Sequence, residues 1–362
     1  MYKLCILLPF LIFHLSSQCQ RKALTVTAYF AGDTAQLKRY DPKKLTHIIF
    51  SFCHLKGNKL HVDDKMDTIR IQKLVALKQI NPRLKVLLSL GGWGGCETCS
   101  PVFSTETGRK EFAASVKELN HYFGTNGIDL DWEYPAVEGF PGHAYKPEDK
   151  QNFTALVKEL RQSLGNDNEI SFAAGGFQKF INDAIEWEEV MKVVDRVNLM
   201  SYDLVNGYSK TTGHHTALYS TSQQKESADN AIKAFLAKTV PADKIVIGAA
   251  FYGRVWEDVS EANNGLYQEG KFKTSTGFRD FAKHYTKKNG FQTFWDDQAS
   301  APYLYNKAKG MFVTYDDERS LIQKVKYATT KGLNGIMFWE LSHDVANGGL
   351  LDGIHKAKHS KK

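Results

Sequence analysis

Gly127-Ile128-Asp129-Leu130-Asp131-Trp132-Glu133-Tyr134-Pro135 is the stretch on which the reading of this chain turns. Asp129, Asp131 and Glu133 recur at every second position, with Ile128, Leu130 and Trp132 between them. On a β-strand the side-chain period is two, so the three carboxylates share one face and the three apolar groups the other. Such an apolar face argues against a solvent-washed edge. Three acids this close cannot all ionise comfortably, and their proton affinities must split. Glu133, nearest the strand's end, is placed to hold a proton and give it away. Pro135 cannot donate to a ladder and is expected to end the strand. A cation site is the competing reading. An EF-hand loop would carry Gly after its third ligand and a more distant Glu, and neither is here. A D-x-D metal site of sugar-transferase type stays open, but the apolar interleaving argues for a barrel strand.

Outward from this stretch, short β-branched runs alternate with amphipathic helices. Strands are expected over Leu24–Phe30, Lys44–Cys53, Lys85–Leu90, Ile170–Ala174, Arg196–Tyr202, Lys244–Tyr252 and Gly335–Trp339, with the acidic stretch fourth of eight. One helix has Ile71, Leu74, Leu77 and Ile80 on a face and is stopped by Asn81-Pro82. Others are marked by Phe112, Val116, Leu119 and Phe123, by Asp149–Leu164 before Gly165, by Ile232, Phe235 and Leu236 before Pro241, and by Glu318–Thr330. Near-continuous apolar strands alternating with helices mean parallel strands buried on both faces. Eight such units predict an α/β fold, the TIM (β/α)8 barrel. Between Arg254 and Tyr315 the rhythm breaks. Trp256, Tyr267, Phe272, Tyr285, Phe294, Trp295, Tyr303 and Tyr305 crowd this segment, which is too long for a structureless loop. A small α+β insertion over 255–315, between strand seven and helix seven, is expected. The barrel would then comprise 20–254 and 316–362.

The 362 residues are 42% hydrophobic and 24% charged, an ordinary globular balance. The net charge of +7 is spread without a dense basic run, so no nucleic-acid partner is expected. Lys3 followed by the apolar run Cys5–Phe13 and Leu15-Ser16-Ser17-Gln18-Cys19 reads as a secretory signal over 1–19, too short to span a bilayer. The mature chain is expected to be secreted. Lipidation of Cys19 is the alternative, which Gln18 disfavours. No other run is long enough for a membrane span. Export permits disulfides. Cys96-Glu97-Thr98-Cys99 follows a glycine-rich stretch and reads as a loop staple or two free thiols rather than a redox pair, and Cys53 as a buried free thiol.

In a TIM barrel the chemistry lies at the C-terminal strand ends. Those ends carry Tyr29, Phe52, Ser89, Glu133, Met200, Tyr202, Asp203, Tyr252, Arg254, Trp339 and Glu340. Flat aromatic faces ringed by hydrogen-bonding groups suit sugar rings. Gly127–Glu133 resembles the signature strand of the family 18 glycoside hydrolases, the chitinases and their relatives. Ser89-Leu90-Gly91-Gly92, Asn198–Asp203, Phe251-Tyr252-Gly253-Arg254 and Met337-Phe338-Trp339-Glu340 resemble that family's other strand-end motifs, in order. Asn126 departs from it, standing where the family usually has Asp.

The resemblance implies a chitinase cutting β-1,4 N-acetylglucosamine polymers with retention, its nucleophile being the substrate's own acetamido oxygen. Glu133 would be the general acid, and Asp131 would share a proton with Asp129 and swing toward Glu133. Tyr29 and Ser89 would hold the inner Asp. Tyr202 and Asp203 would hold the acetamido group, and Trp339 would floor the pocket. Trp93 would stack on a neighbouring sugar. Phe52, Met200, Tyr252 and Arg254 are further groove candidates. No metal or organic cofactor is implied, and chitin or chito-oligosaccharides would be the partners of a monomer. A chitin-binding lectin and an endo-β-N-acetylglucosaminidase on glycoprotein glycans are the rival readings.

Overall fold

The computed structural model describes residues 23–360. The expected export signal and Cys19 lie outside the described residues. Eight parallel strands close into a barrel: β1 (Thr25–Phe30), β2 (His47–Lys56), β4 (Lys85–Gly91), β5 (Gly127–Asp131), β6 (Glu169–Gly175), β7 (Arg196–Met200), β8 (Ile245–Ala250) and β14 (Gly335–Trp339). Closure is made where β1 pairs with both β2 and β14. A short strand, β3 (Lys59–His61), forms a hairpin with the far end of β2.

The strands look continuously apolar because both their faces are buried. Tyr29, Ile49, Leu87, Ala173, Met200, Val246 and Met337 pack inward. Val26, Ile48, Val86, Ile128, Ile170, Val197, Ile247 and Phe338 alternate with them and pack outward under the helices. Helix boundaries follow local chemistry. Thr105 caps the helix Glu106–Phe123 by accepting from Gly108 N–H, and Gly124 ends it at φ 72°. Asp317 and Ser320 form a capping box on Glu318–Lys331.

Several boundaries differ from the sequence reading. The acidic strand ends at Asp131, before Pro135 is reached, so Glu133 sits just beyond the ladder. Strand six ends at Met200. Strand two starts at His47 because Pro42–Lys44 forms a 3-10 turn capped by Asp41. The helix over Lys65–Ala76 tightens to a 3-10 turn at Leu77–Gln79, which swings Ile80 off the buried face to 53% exposure.

Strand seven breaks at Phe251, and the chain turns into β9 (Tyr252–Glu257). With β10 (Lys271–Gly277), β11 (Gln292–Asp296), β12 (Ala301–Asn306) and β13 (Met311–Thr314), β9 makes an antiparallel sheet in the order β10-β9-β13-β12-β11. Alternation gives it two apolar layers. Val255, Leu304 and Val313 pack with Phe281, Phe291 and Tyr315 on one face. Trp256, Tyr303, Tyr305 and Phe312 pack with Val259 and Leu266 on the other. The sheet grows directly from the C-terminal end of β8, the end at which β5 delivers its carboxylates.

Candidate active site

The inner face of β5 carries Asp129 and Asp131, and Glu133 follows at the strand's mouth. Ile128, Leu130 and Trp132 face the other way, none more than 3% exposed. Trp132 is held among Phe103 and Phe153, with ring centroids 5.5 and 6.4 Å away. That aromatic packing fixes the strand's rotation and therefore where the acids point.

Asp129 is fully buried and accepts four hydrogen bonds. Tyr29 Oη donates at 2.9 Å and Ser89 Oγ at 3.2 Å to one oxygen; Ser171 Oγ at 2.5 Å and Asn198 Nδ2 at 3.0 Å reach the other. Burial raises its proton affinity, and these four donors work against the rise. Asp131 lacks such relief. Burial first, then the charges of Glu133 and Asp129, push its pKa well above the usual carboxylate range. Its Oδ1 is buried without a hydrogen-bond partner, which leaves this carboxyl free to exchange partners with a proton. Burial pushes Glu133 up to about 7, against a hydrogen bond from Tyr134 and with the help of Asp203. A carboxylic acid in that range is about half protonated near neutral pH, so it can both give a proton and take it back.

Asp203 behaves in the opposite way. Burial would raise it, but His215 and Arg254 hold it well below the usual range. Arg254 donates through Nε and Nη2 to its two oxygens, each at 2.5 Å, and Tyr252 Oη donates at 2.7 Å. Tyr252 and Arg254, expected as groove contacts, are thus engaged in fixing Asp203 as a negative charge, which helps to raise Glu133.

Trp339 is half-buried at the end of β14. Its ring stacks on Phe52 at 5.6 Å and 14° and meets Tyr29 at 5.9 Å. Tyr202 is 9% exposed, with its Oη 3.7 Å from Met337 Sδ, and Met200 beside it is 8% exposed. Burial and the surrounding carboxylates raise the Tyr202 phenol well above its usual value, which keeps it a neutral donor. Trp93 stands at the rim, 48% exposed, edge-on to Phe140 at 5.6 Å. Tyr208, 69% exposed, is 6.5 Å from Trp93 across the opening.

The barrel mouth therefore brings together Tyr29, Phe52, Ser89, Asp129, Asp131, Glu133, Met200, Tyr202, Asp203, Tyr252, Arg254 and Trp339, with Trp93 at the edge. Four partners were not singled out from sequence: Ser171 and Asn198 on Asp129, Tyr134 on Glu133, and His215 on Asp203. Strand parity could have found the first two, since Ser171 and Asn198 lie two residues before the inward Ala173 and Met200. His215 arrives from a loop and leaves no periodic signal. Asn126 is remote from the mouth. Its Oδ1 accepts from Val86 N–H at 3.0 Å, where β4 and β5 begin. Among the described residues no group of three or more His, Cys, Asp or Glu side chains is placed to hold a metal ion.

Comparison with known proteins identifies the family. Residues 25–344 match the model of the glycosyl hydrolases family 18. Chitinase A1 of Niallia circulans is 36% identical over 298 residues, 76% of this chain; the chain spans only 42% of that protein's length. Chitotriosidase-1 of Mus musculus is 31% identical, covering 84% of this chain and 68% of the mouse protein. A solved family 18 N-acetylglucosaminidase from Paenibacillus barengoltzii superposes with a TM-score of 0.84 at 36% identity, covering 92% of this chain and 99% of that one. The chain belongs to glycosyl hydrolases family 18.

Proposed function

We propose that this chain is a secreted chitinase that hydrolyses β-1,4 linkages between N-acetylglucosamine units with retention, through substrate-assisted catalysis. The observation that carries the reading is the split among three adjacent acids. Asp129 is saturated with donors, Asp131 has a buried oxygen without a partner, and Glu133 is poised near neutrality. Glu133 protonates the leaving glycosidic oxygen. Asp131 turns from Asp129 toward Glu133 and the acetamido N–H, which makes the acetamido carbonyl oxygen a better nucleophile. Tyr202 donates to that carbonyl and holds it under the anomeric carbon, while Trp339 supports the sugar from below. Asp203 keeps a negative charge opposite the developing positive centre. The oxazolinium so formed is opened by water, with Glu133 now taking the proton. In this reading residues 255–315 form an insertion domain that walls one side of the groove, and Trp93 stacks on a sugar at its edge. Export is supported by the leader-like start of the chain and by the Cys96–Cys99 disulfide, a bond that persists in oxidising compartments.

The test is product analysis on a chitin hexamer beside a high-mannose glycoprotein. Internal cleavage of the hexamer alone supports the reading. Release of glycan from the glycoprotein would favour the endo-β-N-acetylglucosaminidase, and tight binding without products would favour the lectin. A second reading rests on the Paenibacillus neighbour, an N-acetylglucosaminidase matched over nearly its whole length. Stepwise loss of single N-acetylglucosamine units from the hexamer would identify that mode.

A further inference from the structure

The sequence motif that the proposed function leaves unused is Cys96-Glu97-Thr98-Cys99. The two cysteines form a disulfide. It closes the four-residue ring Cys96–Cys99 directly after the stretch Gly91-Gly92-Trp93-Gly94-Gly95, which is poor in intrinsic order. Gly91, Gly92 and Gly94 sit at φ 107°, 80° and 87°, a region that side chains rarely enter. Glycine at four of five positions leaves Trp93 on a segment with many accessible conformations.

Three contacts hold the segment in one of them. Gly92 N–H donates to the Asp131 carbonyl at 2.9 Å, so the loop rests on the backbone of a catalytic candidate. Gly95 N–H returns to the Gly92 carbonyl at 2.8 Å. The disulfide is the third. Cys96 is 3% exposed and Cys99 is fully buried, and a methyl group at Gly91 would lie 3.1 Å from Cys96 Sγ. The sulfur therefore packs under the start of the loop. On its other side, Cys99 begins the helix Cys99–Phe103. Ser100 Oγ anchors that helix to Asp149 at 3.0 Å, and Phe103 packs on Trp132 behind the acidic strand. The bridge thus ties the loop carrying Trp93 to the same packing that orients Asp131 and Glu133.

We propose that Cys96 and Cys99 are positioning residues for sugar binding: their disulfide pre-orders the Trp93 loop, so that the indole is presented to the substrate before the substrate arrives. This rests on the sugar-binding role given to Trp93 above. Ordering a side chain before binding removes a cost otherwise met on association. A four-residue ring constrains the unfolded chain little, so the bridge's contribution to global stability is small.

The experiment compares the oxidised protein, the same protein treated with a water-soluble phosphine, and the Cys96→Ser/Cys99→Ser variant. The phosphine converts the cystine and one water to two thiols and becomes its oxide; alkylation and mass spectrometry confirm the reduction. With a chitin hexamer, KM is expected to rise about three- to tenfold in both altered forms, kcat staying within twofold, which corresponds to losing one pre-ordered side chain. Trp93→Ala should raise KM similarly, and removing the disulfide from that variant should add nothing. An unchanged KM with a lowered melting temperature would overturn the proposal and leave the bridge purely structural. A fall in kcat at fixed KM would overturn it too, by moving the effect to Asp131. Fluorescence separates this from failure of the chitinase reading. The part of the emission lost in Trp93→Phe should become more open to acrylamide quenching on reduction, whether or not the enzyme cleaves chitin. Unchanged quenching would overturn the loop proposal alone.

Discussion

Glu133 is the general acid of the proposed mechanism, and its substitution gives two readouts. Glu133→Gln keeps the shape and removes the transferable proton, so turnover on chito-oligosaccharides should fall by about 10²- to 10⁴-fold while binding persists. Near-normal turnover in the folded variant would remove Glu133 from its role. The second readout is stability. The folded carboxyl titrates at about 7, above its ordinary value of 4.5. A raised carboxyl pKa means that the folded state binds the proton more tightly, so the wild type loses stability as pH rises from 4.5 through 7. Gln does not titrate. The melting temperature of Glu133→Gln relative to wild type should therefore climb across that window and then level off. A flat difference would place Glu133 in an ordinary solvated environment. The activity of the wild type should decline above about pH 7 for the same reason. The acids, their spacing and their facing were legible in the sequence because a two-residue period allows few arrangements. The engagement of Arg254 and Tyr252 with Asp203 was not, because it depends on a left-handed turn at Asp203, φ 56°, that no local pattern announces.

At the scale of elements, two junctions make opposite predictions. Asn126 stands where the related enzymes usually have Asp, and the question is whether it tunes the acids or braces the turn. Its side chain accepts from Val86 N–H at the start of β5, three residues before Asp129, and an Asp at that position would offer the same acceptor. Asn126→Asp should therefore leave the pH–rate profile unchanged; a shifted limb would mean that the position communicates with the acids. The second junction joins the end of β8, the loop at Thr216 and the helix Glu318–Lys331. Lys324 and Asp316 are both fully buried, 2.6 Å apart, and Lys324 Nζ also reaches Thr216 Oγ1 at 2.5 Å. Asp316 further accepts from Ala250 N–H at 3.0 Å and Ser320 Oγ at 2.6 Å. Lys324→Met would leave a buried carboxylate without its counter-charge, and denaturant unfolding should show a loss of about 3–5 kcal/mol. A loss below 1 kcal/mol would mean that Asp316 does not depend on the Lys324 counter-charge. The end of the helix Asp149–Leu164 was readable from Gly165. Strand ends were not, because Trp132 and Phe251 keep the apolar pattern after the ladder has stopped.

For the whole molecule, the barrel was legible because eight apolar strands and their helices leave little choice of topology. The antiparallel sheet of β9 to β13 was legible only as an interruption rich in aromatics. Its five-strand order places β9, the first strand after the break, second in the sheet and pairs it with the last, a long-range choice that local propensity does not encode. What the fold achieves is a mouth with two acids on β5 and a third just beyond it, facing the residues that follow β7. Activity should survive dialysis against a strong chelator, and a loss restored by a divalent cation would revive the metal reading of the acidic stretch. The account stands on the substrate supplying its own nucleophile. The most direct measurement compares a fully acetylated chitin hexamer with its fully deacetylated counterpart by mass spectrometry under identical conditions. Well-oriented intramolecular attack is worth about 7–11 kcal/mol of barrier, so the account predicts rapid cleavage of the acetylated chain and none detectable for the deacetylated one, even where it binds. Comparable cleavage of both would mean that a protein carboxylate attacks the sugar directly, and would contradict the mechanism.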